Sequence, residues 1–102
     1  MAFVKVAKLG EVPPGRVKVV EAGDEDVALC NVAGEIYAIA DVCTHDDGPL
    51  GQGYLYGDEI ECPRHGARFC VRDGSVTSLP AIMPIPTFEV RVEGDDILVD
   101  VE

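Results

Sequence analysis

The sequence predicts an all-β fold, built as a small antiparallel sandwich or a partly open barrel. Three observations support this prediction: apolar and polar residues alternate with a period of two, turn residues recur at short intervals, and no stretch of about ten or more residues has a helical apolar period. The alternation is clearest over Phe88 to Glu93 and Ile97 to Val101, which flank Gly94-Asp95. These segments are expected to form a carboxyl-terminal hairpin.

The amino-terminal half is expected to begin with two strands. Partial alternation extends over Phe3 to Lys8 and over Arg16 to Val20. Pro13-Pro14-Gly15 is expected to connect them, because proline cannot donate the hydrogen bonds of a central strand. Two further hairpins are predicted farther along the chain, pairing 27–32 with 35–40 across Ala33-Gly34 and 69–72 with 75–78 across Asp73-Gly74.

Length and composition predict a single domain over residues 1–102. A chain of 102 residues with 47% hydrophobic residues can bury one modest core without disulfide bonds, and no linker, repeat or low-complexity tract divides it. The net charge of −11 repels phosphate backbones and anionic lipids, which argues against nucleic-acid and membrane partners. No apolar run approaches the roughly 20 residues of a membrane-spanning helix, and the first residues lack a signal peptide's apolar stretch. We therefore expect a soluble, cytoplasmic protein.

Two segments interrupt the alternation, at about 41–53 and 62–67, and both are rich in Gly, Pro, Cys and His. The first contains Cys43-Thr44-His45 and the second contains Cys62-Pro63-Arg64-His65. Loops on a rigid β scaffold commonly carry binding groups, so function is expected here. Without an export signal, four cysteines favour metal binding or reduced thiols over disulfides. Thiolate and imidazole ligands suit both zinc and iron–sulfur clusters, so ligand type alone does not choose between them.

The spacing of these residues favours iron. Structural zinc sites usually place paired ligands about two to five residues apart, whereas Cys43 and His45 are separated by one residue. That short gap fits better if the cysteine and histidine of each loop bind different metals, which requires a cluster with two metals. The intervening segment 55–61 is predicted to form a hairpin that brings the two loops together.

In these motifs the chain resembles the Rieske proteins. The pattern C-x-H, sixteen residues, C-x-x-H is similar to the Rieske cluster motif, and Thr44, Pro63 and Gly66 match its usual surroundings. Outside the motifs, the amino-terminal strands, the Gly74 hairpin and the loop containing Pro80 resemble the ferredoxin components of bacterial aromatic-ring-hydroxylating dioxygenase systems.

The resemblance implies a Rieske-type fold in which two loops form a cluster-binding subdomain holding one 2Fe-2S cluster. Cys43 and Cys62 would bind the buried iron. His45 and His65 would bind the outer iron. Neutral imidazoles in place of two thiolates make the cluster less negative, so adding an electron costs less electrostatic work.

The resemblance further implies an electron carrier rather than an enzyme. Such a protein would accept single electrons from a flavin-dependent ferredoxin reductase and deliver them to a terminal oxygenase. A terminal oxygenase also needs a mononuclear iron held by two histidines and a carboxylate, and this chain has no third histidine. The alternatives are a Rieske-like small subunit of a nitrite reductase or other larger redox enzyme, and a structural zinc module. We expect a monomer.

Differences from the respiratory Rieske proteins predict a low cluster potential. Those proteins carry an additional cysteine in each loop, where this chain has Gly48 and Arg64. They also carry hydroxyl donors shortly after the last ligand, where this chain has Ala67 and Phe69. Hydrogen bonds to cluster sulfur or thiolate stabilise the reduced state, so their loss lowers the potential.

Two further groups of residues have weaker signals. Cys30 and Cys70 lie in apolar, strand-like stretches and are predicted to pack as small hydrophobes. Four charged residues border the proposed cluster loops and either contact partners or are solvated loop charges: Asp46, Asp47, Arg64 and Arg68. The sequence leaves these two alternatives open.

Overall fold

The structure, a computed structural model, describes residues 2–44, 48–63, 66–79, 81 and 83–101. This part of the chain forms strands and two short 3-10 helices, which confirms the all-β prediction. The strands are β1 (Phe3–Lys8), β2 (Val17–Ala22), β3 (Glu25–Val32), β4 (Glu35–Ala40), β5 (Tyr54–Tyr56), β6 (Glu59–Glu61), β7 (Arg68–Cys70), β8 (Val76–Ser78), β9 (Thr87–Phe88), β10 (Val90–Glu93) and β11 (Asp96–Asp100). The 3-10 helices are Leu9–Glu11 and Leu50–Gln52, and no helix of the described residues is long and apolar enough to cross a membrane.

The strands form three antiparallel sheets. We call them the terminal sheet (β1-β11-β10), the central sheet (β2-β3-β4-β9) and the loop sheet (β5-β6-β7-β8). The three predicted hairpins are confirmed as β3–β4, β7–β8 and β10–β11. At the β3–β4 turn, Ala33 and Gly34 both have positive φ angles, 52° and 98°, as a tight two-residue hairpin turn requires.

The two amino-terminal strands exist as predicted but lie in different sheets. Strand β1 pairs with β11, so that Phe3 lies opposite Asp100, while β2 pairs with β3. The proline-containing connection between them forms a turn in which Arg16 N–H donates to the Pro13 carbonyl over 3.0 Å. The first and the last strand therefore pair with each other in the terminal sheet.

Strand β3 is buried on both faces because the central sheet lies between two cores. Val27 and Leu29 pack in the first core, between the central and terminal sheets. Ala28 and Cys30 point to the other face and pack in the second core, against the loop sheet. The architecture is thus a sandwich with a third sheet on its opposite face, rather than a closed barrel.

The two cysteines predicted to be structural differ in burial. Cys30 lies on β3 and is fully buried in the second core, which confirms its predicted packing role. Cys70 is only partly buried, because its neighbours Phe69 and Val71 occupy the inward face of that segment. A strand of alternating residues cannot bury three consecutive side chains on one face.

Candidate metal centre

The two predicted cluster loops begin at cysteines that the structure places in one core. Cys43 follows the end of β4 by three residues, and Cys62 directly follows β6. Their relative exposures are 0% and 1%, and both side chains belong to the second core. None of the four cysteines, all of which lie in the described part of the chain, takes part in a disulfide.

The intervening segment forms the predicted hairpin, β5–β6. The backbone of Glu61, at the end of β6, lies so close to Gly53 that a side chain has no room there. A Cβ atom added there would lie 1.8 Å from the carbonyl oxygen of Glu61, the residue that precedes Cys62. The end of the first loop is therefore packed directly against the start of the second.

Both loops are closed by the same type of backbone hydrogen bond. The Cys43 N–H donates to the Gly48 carbonyl over 2.8 Å, and the Cys62 N–H donates to the Ala67 carbonyl over 2.7 Å. Each bond joins residues five positions apart. The second loop also needs a left-handed residue, and Gly66 supplies it with a φ of 76°.

The remaining ligand candidates, His45 and His65, lie outside the described residues, as do Asp46, Asp47 and Arg64. By chain position each histidine falls between the hydrogen-bonded ends of its loop. The ligand role of these histidines stays a prediction.

Residues 81, 83 and 85 of a third segment border the centre, which was not predicted. The Thr44 hydroxyl donates to the Met83 carbonyl over 2.6 Å. Ala81 and Ile85 are buried in the same core as Cys43 and Cys62. The only sequence signal was the proline-containing loop noted in the family resemblance, and Pro80 and Ile82 lie outside the described residues.

Arg68 lies on β7 rather than in a loop, and its guanidinium group binds within the loop sheet. Its Nε donates to Glu61 over 3.0 Å, and its Nη1 lies 3.7 Å from Glu59 Oε1. The same group stacks over the Tyr56 ring, 4.7 Å from the centroid. These contacts explain the residue's position structurally, and the two alternatives of a partner contact and a solvated charge stay open for it.

The donor set fits an iron–sulfur cluster. Thiolate sulfur is the ligand type that iron–sulfur clusters take. Cys43 and Cys62 carry such sulfur atoms, neither is in a disulfide, and both are shielded from water within one core.

Neither residue 67 nor residue 69 brings a side-chain hydroxyl group into the core that contains these cysteines. Ala67 and Phe69 are both fully buried in the core that contains Cys43 and Cys62. Their side chains present only hydrocarbon to this core.

Comparison with known proteins agrees with the motif. A family model described as Rieske [2Fe-2S] domain matches residues 2–89. The ferredoxin component of biphenyl 2,3-dioxygenase from Rhodococcus jostii (strain RHA1) is 47% identical over 102 residues, which cover 100% of this chain and 95% of that protein.

Two solved structures share the whole fold. The ferredoxin of carbazole 1,9a-dioxygenase from Nocardioides aromaticivorans IC177 is 35% identical, with a TM-score of 0.92 and 97% coverage of each chain. A chain from a complex of reduced oxygenase and oxidized ferredoxin in carbazole 1,9a-dioxygenase is 37% identical, with a TM-score of 0.90 and coverage of 95% of this chain and 91% of that chain.

Proposed function

Because this chain belongs to the Rieske 2Fe-2S family and is an electron-carrying ferredoxin, we propose that its single cluster is held by four residues: Cys43, His45, Cys62 and His65. One observation carries this proposal. The two cysteines are fully buried in one core, and each begins a loop that a backbone hydrogen bond closes five residues later. When bound, the cluster takes up and releases one electron at a time.

The chain itself would supply the four ligands, and its core excludes water from the two cysteines. The sulfur atoms of Cys43 and Cys62 would bind the cluster inside the second core, which also contains the apolar side chains of Leu50 and Ile60. The histidines would supply neutral nitrogen donors, which keep a cluster less negative than four thiolates would, so that taking up an electron costs less electrostatic work.

We further propose that this chain receives electrons from a flavin-dependent ferredoxin reductase and passes them to the terminal oxygenase of an aromatic-ring dioxygenase. The proposal is supported by the 47% identical relative, which is the ferredoxin component of a biphenyl dioxygenase. It is also supported by the 37% identical chain, which comes from a complex of reduced oxygenase and oxidized ferredoxin in carbazole 1,9a-dioxygenase. The net charge of −11 would favour basic docking surfaces on both partners.

The ligand assignment is tested by metal analysis and electron paramagnetic resonance (EPR). The purified protein should contain iron and acid-labile sulfide in equal amounts and show a Rieske EPR signal when reduced. His45→Ala and His65→Ala should each abolish that signal, while Cys70→Ser, a change of a partly buried cysteine outside the motif, should retain it. An unchanged signal in His65→Ala, or zinc without sulfide in the wild type, would overturn the assignment.

The partners are tested by reconstitution with the reductase and oxygenase components of the Rhodococcus biphenyl 2,3-dioxygenase. The proposal predicts that this chain is reduced by the reductase and that biphenyl is oxidised only when this chain is present. Reduction without biphenyl oxidation, at oxygenase concentrations that serve the native ferredoxin, would argue against an aromatic-ring oxygenase of this class as the acceptor.

We also propose that the chain is cytoplasmic and acts as a monomer. Analytical ultracentrifugation tests the oligomeric state. The single domain over residues 1–102 stays a prediction.

A further inference from the structure

Asp41 occupies the start of the first cluster loop, directly after β4 and two residues before Cys43. Its backbone N–H donates to the Asp26 carbonyl on β3 over 3.0 Å, so its main chain is fixed to the central sheet. Its side-chain oxygen Oδ1 accepts a hydrogen bond from the Gly51 N–H over 2.6 Å. This one residue therefore joins the central sheet to both ends of the loop.

The Asp41–Gly51 bond is the outer of two nested closures. Inside it, the Cys43 N–H donates to the Gly48 carbonyl. The inner bond fixes a short turn, whereas the outer bond fixes where that turn lies on the protein. The acceptor is a side-chain oxygen, so it can reach a backbone N–H that lies ten residues farther along the chain.

A side chain at Gly51 would have to displace its neighbours. A Cβ atom there would lie 2.3 Å from Val19 Cγ2 on β2 and 2.9 Å from Asp41 Oδ1. The neighbouring Leu50 is fully buried in the same core as Cys43. The Gly51 backbone thus lies close to β2 of the central sheet, and the side chain of Asp41 holds it there while Leu50 packs in the core that contains Cys43.

We infer that Asp41 is a positioning residue, which sets the location of the first cluster loop through its hydrogen bond to Gly51 and so controls how firmly the cluster is held. This inference rests on the proposed function, since it concerns the loop that would carry Cys43 and His45. Asp41 itself is not a ligand in this assignment.

A pair of substitutions separates the acceptor atom from the charge. Asp41→Ala removes both, whereas Asp41→Asn keeps a side-chain carbonyl oxygen that can accept from Gly51. Hydrogen exchange followed by mass spectrometry, cluster loss to a chelator and the EPR line shape are measured on the holoprotein. An Asp24→Ala variant, at an exposed turn residue, controls for the loss of one negative charge.

Asp41→Ala should raise the exchange rate of peptides covering 41–53 and the rate of iron loss by roughly three- to tenfold, because the Gly51 N–H loses its acceptor and one hydrogen bond contributes a modest net stabilisation. The EPR signal should broaden, since a less fixed loop gives a wider range of ligand geometries. Peptides covering 90–100, in β10 and β11 of the terminal sheet, should exchange as in the wild type. Asp41→Asn should recover most of the wild-type behaviour, and Asp24→Ala should match the wild type.

Wild-type exchange and iron-loss rates in Asp41→Ala would overturn the inference. An Asp41→Asn variant that behaves like Asp41→Ala would also overturn it, because charge rather than the placed acceptor would then be responsible. If Asp41→Ala does not fold, the wild type decides: the inference requires the Gly51 amide to be protected from exchange, and a freely exchanging amide overturns it. A wild-type protein without the Rieske signal would instead contradict the proposed ligand set, and the exchange result would still decide the role of Asp41.

Discussion

The backbone N–H of Cys62 donates to the carbonyl oxygen of Ala67 over 2.7 Å, so the second loop closes on a residue whose side chain is a methyl group. Ala67 and Phe69 are both fully buried in the core that contains this cysteine. A hydroxyl at either position would be shielded from water and would seek an acceptor within the core. The absence of hydroxyl groups at these two positions is therefore expected to affect the energy of an added electron.

We predict a midpoint potential near the low end of the Rieske range, around −150 mV. The reduced cluster carries one more negative charge, and it lacks the hydroxyl donors that would stabilise that charge at positions 67 and 69. The acidic surface adds a diffuse negative field, although salt screens charges beyond about 10 Å. Direct electrochemistry measures the potential, and a midpoint above roughly +100 mV would contradict this explanation.

Ala67→Ser is predicted to raise the midpoint potential. If the new hydroxyl stabilises the reduced state by about 1 kcal/mol, the one-electron potential rises by roughly 40 mV. Cys70→Ser is the matched control, because it adds a hydroxyl to the same segment at a partly buried position outside the core cluster. Equal midpoints for Ala67→Ser and the wild type, with the cluster intact in both, would show that position 67 does not reach the sulfur atoms.

The sequence predicted the local parts of this fold well. The β3–β4 and β10–β11 hairpins follow from alternation and from turn residues such as Ala33-Gly34, because each hairpin is specified by neighbours in the chain. The pairing of β1 with β11 was not predicted, since it joins Phe3 to Asp100 across almost the whole chain. The burial of β3 on both faces was also missed, because a third sheet covers the side that a two-layer sandwich would expose.

Some features of the candidate centre could likewise be predicted from the sequence, and others could not. Cys43 and Cys62 could be identified because their spacing to the histidines has chemical meaning. The bond from Thr44 to Met83 could not be predicted, because a threonine and a backbone carbonyl far apart in the chain have no distinguishing pattern. Asp41 likewise resembles any loop aspartate until its carboxylate is found on the Gly51 amide.

Gly53→Ala is predicted to disrupt the join between the two cluster loops. Its Cβ would lie 1.8 Å from a backbone oxygen, and a backbone atom cannot move aside as a flexible side chain can. We expect the free energy of unfolding to fall by at least about 3 kcal/mol, the upper end of overpacking effects, and the iron to be lost. Gly10→Ala is the control, because nothing lies within 4 Å of a Cβ there, and its effect should stay within about 1 kcal/mol. Thermal unfolding with iron analysis compares the two, and equal stabilities would contradict the close approach at Gly53.

Tyr37 is predicted to ionise at a higher pH than an ordinary tyrosine. Its hydroxyl donates to Glu35 over 2.6 Å, and that hydrogen bond is the largest cause of its raised pKa, while the nearby Arg72 lowers it. Glu35→Gln should therefore lower the pKa of Tyr37, whereas Arg72→Gln should raise it further. Nuclear magnetic resonance titration of ring-labelled tyrosine follows this directly. A Tyr37 pKa that does not change in Glu35→Gln would show that the hydrogen bond does not form in solution.

Cys30 and Cys70 are predicted to differ sharply in reactivity towards iodoacetamide. Burial raises the pKa of the Cys30 thiol to about 12, and its side chain has no exposure to solvent. Because the thiolate is the nucleophile, roughly one Cys30 in ten thousand would be reactive at pH 8 even if reagent could reach it. Cys70 is partly exposed and should be alkylated first. Peptide mass spectrometry of the folded holoprotein identifies the modified residue, and modification of Cys30 as fast as Cys70 would contradict the structure.

The same burial predicts how stability responds to alkaline pH. The folded state holds the Cys30 proton more tightly than the unfolded chain, whose thiol pKa is close to the ordinary value of 9.0. The contribution of the Cys30 thiol to the free energy of unfolding is therefore fully present below about pH 9, and it is lost progressively as the pH rises from 9 towards 12. Cys30→Ala removes this titration and should show a smaller decline in thermal unfolding temperature across that range, although its starting stability is reduced by the lost sulfur packing. Parallel declines for Cys30→Ala and the wild type between pH 8 and 10, around the ordinary thiol pKa of roughly 9, would show that ionisation of this thiol does not contribute to alkaline unfolding.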